Sequence, residues 1–452
     1  MAVELTLGAG QPNFKTSAYR AAKPLAASAG FRYLDNIACT PLFFRHFLEK
    51  SGALFAKTNE DARKCIRLAD FPKQVEAQIK DAVYSLPSSG LNRLCLYVRS
   101  DEPWEGAGTG LGSSHIAIRP GRSQKSFIDY ILHSIKLVLE SQFDDLGNVA
   151  EFKRLKGATE DFGALLMPVF ATFYPNRKDP QRIFAPSLSV NFLGKAYGKA
   201  LMQCSRGFFS SSYYGVRDVE YARGRSFSGI DMRDHTTLYG TSALKPFLPI
   251  AGLEEIPIQS IERTYDFRPA DGLDKRVSKL LETGGNCYFE AVRKDHYPSK
   301  IPGWALTQYV PVNMSPISFP DVDDASVIQL PCDAIGMAVA RTKGVHVLDS
   351  TEPQDSIDFN RNNKGHLLLC HVGSLELVKE LPLSAFSNAG AIIFAYSQRE
   401  YVVLSHLSGY LRELKVPILL THDYRAFDVI KEHDSHIVYA NEFTDNGFIA
   451  RL

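Results

Sequence analysis

The stretch of sequence that decides the fold is residues 389–420, which read AGAIIFAYSQREYVVLSHLSGYLRELKVPILL. An apolar strand at 390–394 leads through a polar loop into a helix at 405–415, and a second apolar strand at 417–420 follows at once. One face of the helix is apolar, with the spacing of a buried stripe, and is formed by Leu407, Tyr410, Leu411 and Leu414. This strand–helix–strand order predicts a compact α/β unit.

The start of this helix places a histidine where an anion is favoured. Ser405 is predicted to cap the helix, because its hydroxyl can accept a hydrogen bond from a first-turn amide. His406 then lies in the first turn, where the helix dipole disfavours an imidazolium but stabilises a phosphate carried on the ring. Two interpretations stay open, namely a phosphorylated nucleophile and a satisfied surface histidine on a domain that has lost this chemistry.

The same stretch resembles the phosphohistidine motif of the phosphoenolpyruvate synthase and pyruvate phosphate dikinase family. That motif has an Ala-Gly-Ile-Val-type strand, a Gly-Gly loop, Ser-His-Ala-Ala and a helix ending in Glu-Leu-Gly-Ile-Pro. Residues 389–394, Ser405-His406 and 412–417 match it in order and spacing, whereas Tyr401-Val402 stand where the family has glycines and Leu404 where it often has threonine. The resemblance implies a swivelling domain in which His406 is the catalytic nucleophile, with Ser405 beside it.

A proline-rich segment, residues 311–324, divides the chain and reads PVNMSPISFPDVDD. Three prolines within ten residues favour an extended, semi-rigid connector. The compact pattern beyond it predicts strands at 345–348, 366–370, 390–394, 417–420 and 436–439, and helices at 374–380 and 405–415. We expect an α/β and α+β protein, which the resemblance divides into an ATP-grasp-like nucleotide-binding domain at 1–310, a linker at 311–324 and a phosphohistidine-type swivelling domain at 325–452.

A second constellation lies in the N-terminal part of the chain. An apolar strand at 93–98 runs into Arg99 and Ser100, and a glycine-dense loop, EGAGTGLGSS, follows at 105–114. Arg99 offers a planar, permanently charged fork for phosphate oxygens, and glycines let main-chain amides approach an anion. A strand at 115–118 and a long helix from 126 to about 143 come next. A plain glycine-rich hairpin is the alternative interpretation of the loop.

This order resembles the family's Val-Arg-Ser-Ser…Glu-Asp…Phe-Ala-Gly sequence, in which the arginine contacts ATP phosphates and the glycine loop folds over them. The resemblance implies nucleotide binding by Arg99, Ser100, Gly108, Gly110 and Gly112. Where the family has Tyr-Arg after the long helix, this chain has Phe152-Lys153-Arg154, so Lys153 is expected to hold phosphate too. The nearest counterpart of the family's early Gly-Gly-Lys is the stretch at 29–32, Ala-Gly-Phe-Arg.

Two further strands, predicted at 287–292 and 305–310, carry oxygen ligands for a metal ion. The segments 288–292 and 304–308 resemble the family's Asp-Ile-Glu-Trp-Ala and Ile-Leu-Gln-Ser-Arg-Pro, where the glutamate and glutamine lie near magnesium. Glu290 would supply a hard anionic oxygen and Gln308 a neutral one. The alternative is a partly buried glutamate in a strand.

The composition argues against several classes of partner. Lys plus Arg is 51 and Asp plus Glu is 50, so no global basic field attracts nucleic acid or an anionic membrane. No stretch approaches the ~20 apolar residues of a membrane span, and the start of the chain lacks the apolar core of a secretion signal. Seven scattered cysteines are typical of reduced thiols in a cytoplasmic protein. His433 and His436 are expected in a solvated turn rather than at a metal.

The residues and the resemblance together predict an ATP- and Mg²⁺-dependent phosphotransferase of the dikinase type. ATP would phosphorylate His406, with AMP and phosphate released. His406 would pass the phosphoryl group to a small-molecule acceptor, held by the Tyr/Ser/Phe-rich region 207–240, or to a partner protein carrying the acceptor site. The family's pyruvate-binding barrel takes ~250 residues and is not accommodated. The alternative is a catalytically silent relative that acts as a binding or assembly subunit.

Overall fold

The structure is a computed structural model. It describes residues 2–87, 95–103, 114–118, 124–143, 161–168, 172–175, 182–185, 188–196, 199–205, 219–222, 238–240, 255–256, 273–284, 287–294, 303–312, 317–330, 332–349, 364–372, 386, 388–396, 411–412, 414–421, 425–442 and 446–452. Statements about structure below concern these residues.

Up to the connector, helices and strands are mixed along the chain. The helices are α1 Phe14–Ala21, α2 Lys23–Ala29, α3 Pro41–Ser51, α4 Asn59–Leu68, α5 Lys73–Ser85, α6 Gln124–Ser141 and α7 Leu273–Gly284. The strands are β1 Glu4–Leu7, β2 Arg32–Tyr33, β3 Asn36–Cys39, β4 Cys95–Asp101, β5 Ser114–Ile118, β6 Gly163–Pro168, β7 Thr172–Pro175, β8 Arg182–Ala185, β9 Leu188–Ala196, β10 Lys199–Ser205, β11 Val219–Ala222, β12 Leu238–Gly240, β13 Glu255–Ile256, β14 Cys287–Lys294 and β15 Gly303–Pro311.

These strands form three sheets, with the orders β1-β3-β6-β4-β5, β11-β10-β9-β14-β15-β2 and β13-β12-β8-β7. Strand β6 shows how the first sheet serves two cores, because successive side chains of a strand point to opposite faces. Ala164 and Leu166 pack in one core with α3, α4, α5 and α6. Leu165 and Met167 pack in another with α1, α2, α7 and the strands β14 and β15 of the second sheet. The first sheet is therefore a middle layer.

The elements predicted for this part from residue 93 onward are confirmed where the structure describes them. The strands predicted at 93–98 and 115–118 are β4 and β5, and the long helix from 126 is α6. The strands predicted at 287–292 and 305–310 are β14 and β15, which pair antiparallel. Of the region 207–240, which was predicted to hold the acceptor, the structure describes only β11 and β12. Most of this region therefore lies outside the described residues.

Beyond the connector, the described strands form two further sheets. The strands are β16 Val327–Ile328, β17 Cys332–Ile335, β18 Met337–Thr342, β19 Val345–Asp349, β20 Leu367–Val372, β21 Ala391–Tyr396, β22 Ile418–Thr421, β23 His436–Asn441 and β24 Asn446–Arg451, and the helix described in full is α8 Ala426–Lys431. One sheet has the order β17-β22-β21-β20-β19, parallel from β19 to β22, and the other is β16-β24-β23-β18, antiparallel throughout. Both sheets and α8 contribute to one apolar core.

All five strands predicted in this part are confirmed. Four of them contribute buried apolar residues to the core, whereas Val347 of the fifth, β19, is exposed. The helix predicted at 374–380 lies outside the described residues. Of the helix predicted at 405–415, residues 411–412 are described as helical, and Leu411 is fully buried as the apolar stripe requires.

The connector contacts one of the C-terminal sheets through Phe319. Phe319 lies against Tyr439 of β23 and Phe448 of β24, with ring centroids 5.1 Å and 5.0 Å away. Its side chain still exposes 63% of its surface. Tyr439 and Phe448 alternate with the core residues Val438, Ala440 and Ile449, so this contact lies on the face of the sheet that points away from that core.

The described residues form both helices and sheets, which agrees with the predicted α/β and α+β class. Each sheet draws its strands from one side of the connector only, among the residues described. Within the described residues, no helix combines the length and apolarity needed to cross a membrane. Helices α1 to α4 and strands β1 to β3 were not individually predicted.

The turn after residue 412 carries strain that the sequence explains. Lys415 has φ 57°, the one positive φ among the described non-glycine residues, and its amide donates to the carbonyl of Arg412. Glycine stands at this point in the Glu-Leu-Gly-Ile-Pro motif that the chain resembles. The left-handed conformation costs a residue with a Cβ about 1–2 kcal/mol.

We therefore expect Lys415→Gly to raise the free energy of unfolding by about 1 kcal/mol, since glycine loses the steric cost but gains chain entropy when unfolded. Urea unfolding followed by circular dichroism measures the change. Lys415→Ala is the matched control and should leave stability nearly unchanged, because alanine keeps the Cβ. Equal stability of the Gly and Ala variants would contradict the explanation.

Candidate functional site

Three of the residues predicted for nucleotide and metal binding meet in one cluster. Arg99 lies on β4, and its Nη1 donates to the carbonyl oxygen of Thr307 at 2.9 Å. Its Nη2 donates to Glu290 Oε2 at 3.2 Å and also to Gln308 Oε1. The side chains of Arg99 and Glu290 are only 12% and 16% exposed, so this is a largely buried ion pair.

A bulge in the second sheet creates the acceptors for Arg99. Glu290 of β14 lies opposite Gln308 of β15, but the next pair is Ala291 with Leu306, so Thr307 is the extra residue. The Thr307 hydroxyl donates to the Glu290 carbonyl at 3.2 Å, and its own carbonyl accepts from Arg99. Because the bulge shifts the alternation, Gln308 lies beside Glu290 while Leu306 stays in the core.

Tyr288 fixes the second oxygen of Glu290. The two residues are on the same face of β14, and the Tyr288 hydroxyl donates to Glu290 Oε1 at 2.9 Å. Burial raises the pKa of the Tyr288 phenol well above its ordinary value, the Glu290 charge adds to the rise, and Arg99 and Arg412 oppose it. Tyr288 therefore remains a proton donor, and Glu290 Oε2 is the oxygen that faces cations.

Ser100, which was predicted to bind nucleotide with Arg99, lies on the opposite face of β4. It pairs across the sheet with Ala164 of the helix-covered core, whereas Arg99 pairs with Leu165 of the other core. Ser100 is completely buried, and its hydroxyl lies 3.4 Å from the Nζ of Lys15. Lys15 is itself only 4% exposed. The strand therefore presents two adjacent polar groups, one on each face.

Asp101, the last residue of β4, anchors the start of helix α1. Its carboxylate accepts from the backbone amides of Thr16 and Asn13, each at 3.1 Å. The Asn13 side chain donates in return to the Asp101 carbonyl at 2.7 Å. Burial raises the pKa of the Asp101 carboxyl, whereas the hydrogen bonds from Thr16 and Asn13 and the charge of Lys15 lower it. Asp101 thus serves as an N-cap supplied by a distant strand.

Residues 29–32, the nearest sequence counterpart of the family's Gly-Gly-Lys, have a structural role instead. Gly30 ends helix α2 in the left-handed conformation, with φ 77°. Ala29 and Phe31 are buried in the core between the sheets. The lysine described beside β4 is Lys15, in the first turn of α1, which contacts Ser100. Sequence reasoning missed it because its partners Ser100 and Asp101 are more than eighty residues away.

The remaining predicted site residues lie outside the described residues. These are the catalytic pair Ser405 and His406, the loop glycines Gly108, Gly110 and Gly112, and Lys153. On either side of the first pair, the structure describes β21 and the turn at Lys415. On either side of the glycines it describes β4 and β5, which pair antiparallel.

The expectation that His433 and His436 lie in a solvated turn is wrong for His436. This residue begins β23 and is completely buried, because its strand runs through the C-terminal core. The rings of His433 and His436 are 6.3 Å apart, edge to face. Among the described residues, no set of three His, Cys, Asp or Glu side chains is grouped to hold a metal ion.

This burial makes stability depend on pH. Burial lowers the pKa of His436 below its ordinary value, the neighbouring His433 lowers it further, and the Ile430 carbonyl and Asp434 oppose the change. Below about pH 6.5 the unfolded chain takes up a proton that the folded chain resists, so stability falls as the pH decreases. For one buried histidine, the free energy of unfolding falls by at most about 1.4 kcal/mol for each pH unit.

We expect the free energy of unfolding of the wild-type protein to be lower at pH 5.5 than at pH 7.5. His436→Gln should reduce this difference, although burial also lowers the pKa of His133 and will leave part of it. Urea titrations at the two pH values measure it, and His46→Gln, on the exposed side of α3, is the control. An unchanged pH difference in His436→Gln would refute the assignment.

Comparison of the sequence with protein-family models gave no match, and comparison with curated proteins gave none either.

Proposed function

We propose that this chain is an ATP-dependent phosphotransferase of the dikinase type. On this proposal, residues 1–310 are an ATP-grasp-like nucleotide-binding domain and residues 325–452 a swivelling phosphohistidine domain, joined by the linker 311–324. The observation that carries the proposal is the Arg99 cluster. Arg99 lies 191 residues from Glu290 and 209 from Gln308 in the chain, and its guanidinium is hydrogen bonded to both side chains.

The donor set of this cluster fits a magnesium ion. Glu290 Oε2 and Gln308 Oε1 are hard oxygens of the kind that Mg²⁺ prefers. One cationic nitrogen, Arg99 Nη2, already bonds both of them, so the space between the two oxygens accepts positive charge. Mg²⁺ typically takes only one or two protein ligands and completes its shell with phosphate oxygens and water. When bound here, it would neutralise charge on the phosphates of ATP.

Lys15 is a second buried cation beside β4. It is 4% exposed and its Nζ is 3.4 Å from the hydroxyl of Ser100, which lies on the opposite face of the strand from Arg99. On this proposal the phosphates are therefore held by Arg99. The glycine loop at 105–114 would contribute main-chain amides.

His406 is the proposed acceptor of the phosphoryl group. A histidine nucleophile divides one difficult transfer into two easier ones, with release of AMP and phosphate in the family that the chain resembles. The final acceptor is a small molecule or a site on a partner protein.

A direct test is incubation of the purified full chain with Mg²⁺ and ATP labelled on the β-phosphate. The proposal expects an acid-labile label on the protein and AMP in the supernatant. Nucleotide binding should be measured separately, without metal, by equilibrium dialysis. Absence of label together with absence of nucleotide binding would refute the proposal.

One observation favours a second function, that of a catalytically silent relative serving as a binding or assembly subunit. The Arg99 guanidinium is already bonded to Glu290, Gln308 and Thr307 within the chain, so this charge is neutralised internally. In a protein that binds no nucleotide, such a cluster would have the structural role of linking two sheets. Absence of label and of AMP in the presence of small-molecule acceptors, from a stably folded chain, would favour this function whether or not nucleotide binds.

A further inference from the structure

We propose that Arg99 occupies the divalent-metal position in the nucleotide-free protein and excludes metal from Glu290 and Gln308. Metal gains these oxygens only when a phosphate group draws the guanidinium away. The inference deepens the proposed function and rests on it for the identity of the phosphate ligand. The competition between Arg99 and metal, however, depends on the described geometry alone.

The first step is that Arg99 holds the oxygens that a metal would need. Its Nη2 bonds Glu290 Oε2 and Gln308 Oε1 together, and its Nη1 bonds the Thr307 carbonyl. Tyr288 bonds the other carboxylate oxygen of Glu290. Each oxygen of the Glu290 carboxylate therefore has a donor, and a metal ion that bridges Glu290 Oε2 and Gln308 Oε1 must displace Arg99.

The second step is that metal and guanidinium cannot share this space. The two side chains of the ion pair are 12% and 16% exposed, so water screens charges here only weakly. A divalent cation beside a retained guanidinium would be repelled, and only one negative charge, that of Glu290, is described in contact with Arg99. The pair is electrically balanced as it stands.

The third step is that a phosphate group reverses the balance. Guanidinium binds phosphate oxygens through two parallel hydrogen bonds, which are stronger than one bond to a carboxylate. Once Arg99 turns to phosphate, Glu290 Oε2 and Gln308 Oε1 are left as hard oxygen ligands without a cation. Metal and phosphate ligand then bind with positive coupling, which is reciprocal between the two.

The test uses Mn²⁺ as the probe metal and the full chain without nucleotide. Electron paramagnetic resonance measures free Mn²⁺, and hence the dissociation constant, for the wild type, Arg99→Gln and Arg99→Lys. We expect Arg99→Gln to bind Mn²⁺ about tenfold more tightly than the wild type, because the competing charge is gone. Arg99→Lys keeps the charge and should remain weak, as should Arg45→Gln, whose arginine is exposed and pairs with Glu49.

Two measurements keep the result interpretable. Glu290→Gln added to Arg99→Gln should remove the gain in Mn²⁺ affinity, which locates the metal at this carboxylate. If Arg99→Gln is destabilised, Mn²⁺ should raise its melting temperature while leaving that of the wild type unchanged. Equal Mn²⁺ affinity in the wild type and Arg99→Gln, with no such shift in melting temperature, would overturn the inference.

The outcome also separates this inference from the proposed function. Nucleotide binding to the wild type in metal-free buffer tests the proposed function by itself. A gain of Mn²⁺ binding in Arg99→Gln without nucleotide binding to the wild type would sustain the competition and refute the proposed function. Nucleotide binding to the wild type, with no gain of Mn²⁺ binding in Arg99→Gln, would support the proposed function and refute the competition between Arg99 and metal.

Discussion

Replacing His406 by asparagine is expected to abolish the acid-labile phosphorylation of this protein and the formation of AMP from ATP. Asparagine keeps a polar group in the first turn of the predicted helix but has no nucleophilic ring nitrogen. Nucleotide affinity should stay unchanged, because Arg99 and Glu290 both lie before the connector. The measurement is incubation with ATP labelled on the β-phosphate, followed by mapping of the labelled peptide.

The control for this experiment is His46→Asn, since His46 is an exposed histidine of helix α3 and was not predicted as a site residue. It should be labelled as fully as the wild type. Label that persists on another histidine in His406→Asn would show that His406 is not the nucleophile, but it would still support a phosphotransferase. Loss of both label and nucleotide binding would point to misfolding, which circular dichroism would detect.

Asp101→Ala is expected to lower the free energy of unfolding by about 3 kcal/mol, the largest stability effect anticipated for a single substitution here. Alanine leaves the buried amides of Asn13 and Thr16 without their acceptor at the start of α1. It also removes the negative charge that lies near Lys15, which is only 4% exposed. Urea unfolding followed by circular dichroism measures the loss.

Asp101→Asn should lose less stability than Asp101→Ala, because the amide oxygen can still accept one of the two hydrogen bonds. Asp321→Ala, at an exposed position of the connector, serves as control and should change stability by no more than about 0.5 kcal/mol. If Asp101→Ala matched that control, the carboxylate would not be the anchor of α1.

Five of the nine described strands of the C-terminal sheets were predicted from the sequence, and the clearest of them are short, continuous apolar runs between polar loops. β20, β21 and β22 are examples, and their residues are almost completely buried. Helix α6 was predicted equally well, because apolar residues recur along one of its faces. Periodicity reports burial, and it is reliable wherever an element is buried in a regular way.

The proximity of Arg99 to Glu290 could be predicted only by matching motifs in order, since nothing local connects residues 191 positions apart. Lys15 and Asp101 were missed for the same reason. Each belongs to a short polar segment with no distinctive spacing, and their relation arises when α1 is placed against the end of β4. The burial of His436 was also missed, because a Glu-His-Asp-Ser-His segment looks polar in sequence although its last residue begins a core strand.

The bulge at Thr307 could not have been predicted, because it is a property of two paired strands rather than of either sequence. In a regular ladder Gln308 would share the side of Leu306 and point into the apolar core. Core residues lie on both sides of the bulge, with Leu306 before it and Tyr309 after it, and the extra residue places Gln308 on the other face of β15. The cluster therefore depends on the number of residues in the strand as well as on their identity. Deletion of residue 307 would move Gln308 away from Glu290 even though Arg99, Glu290 and Gln308 would all still be present. This part of the chain is therefore constrained in its length as well as in its residue types.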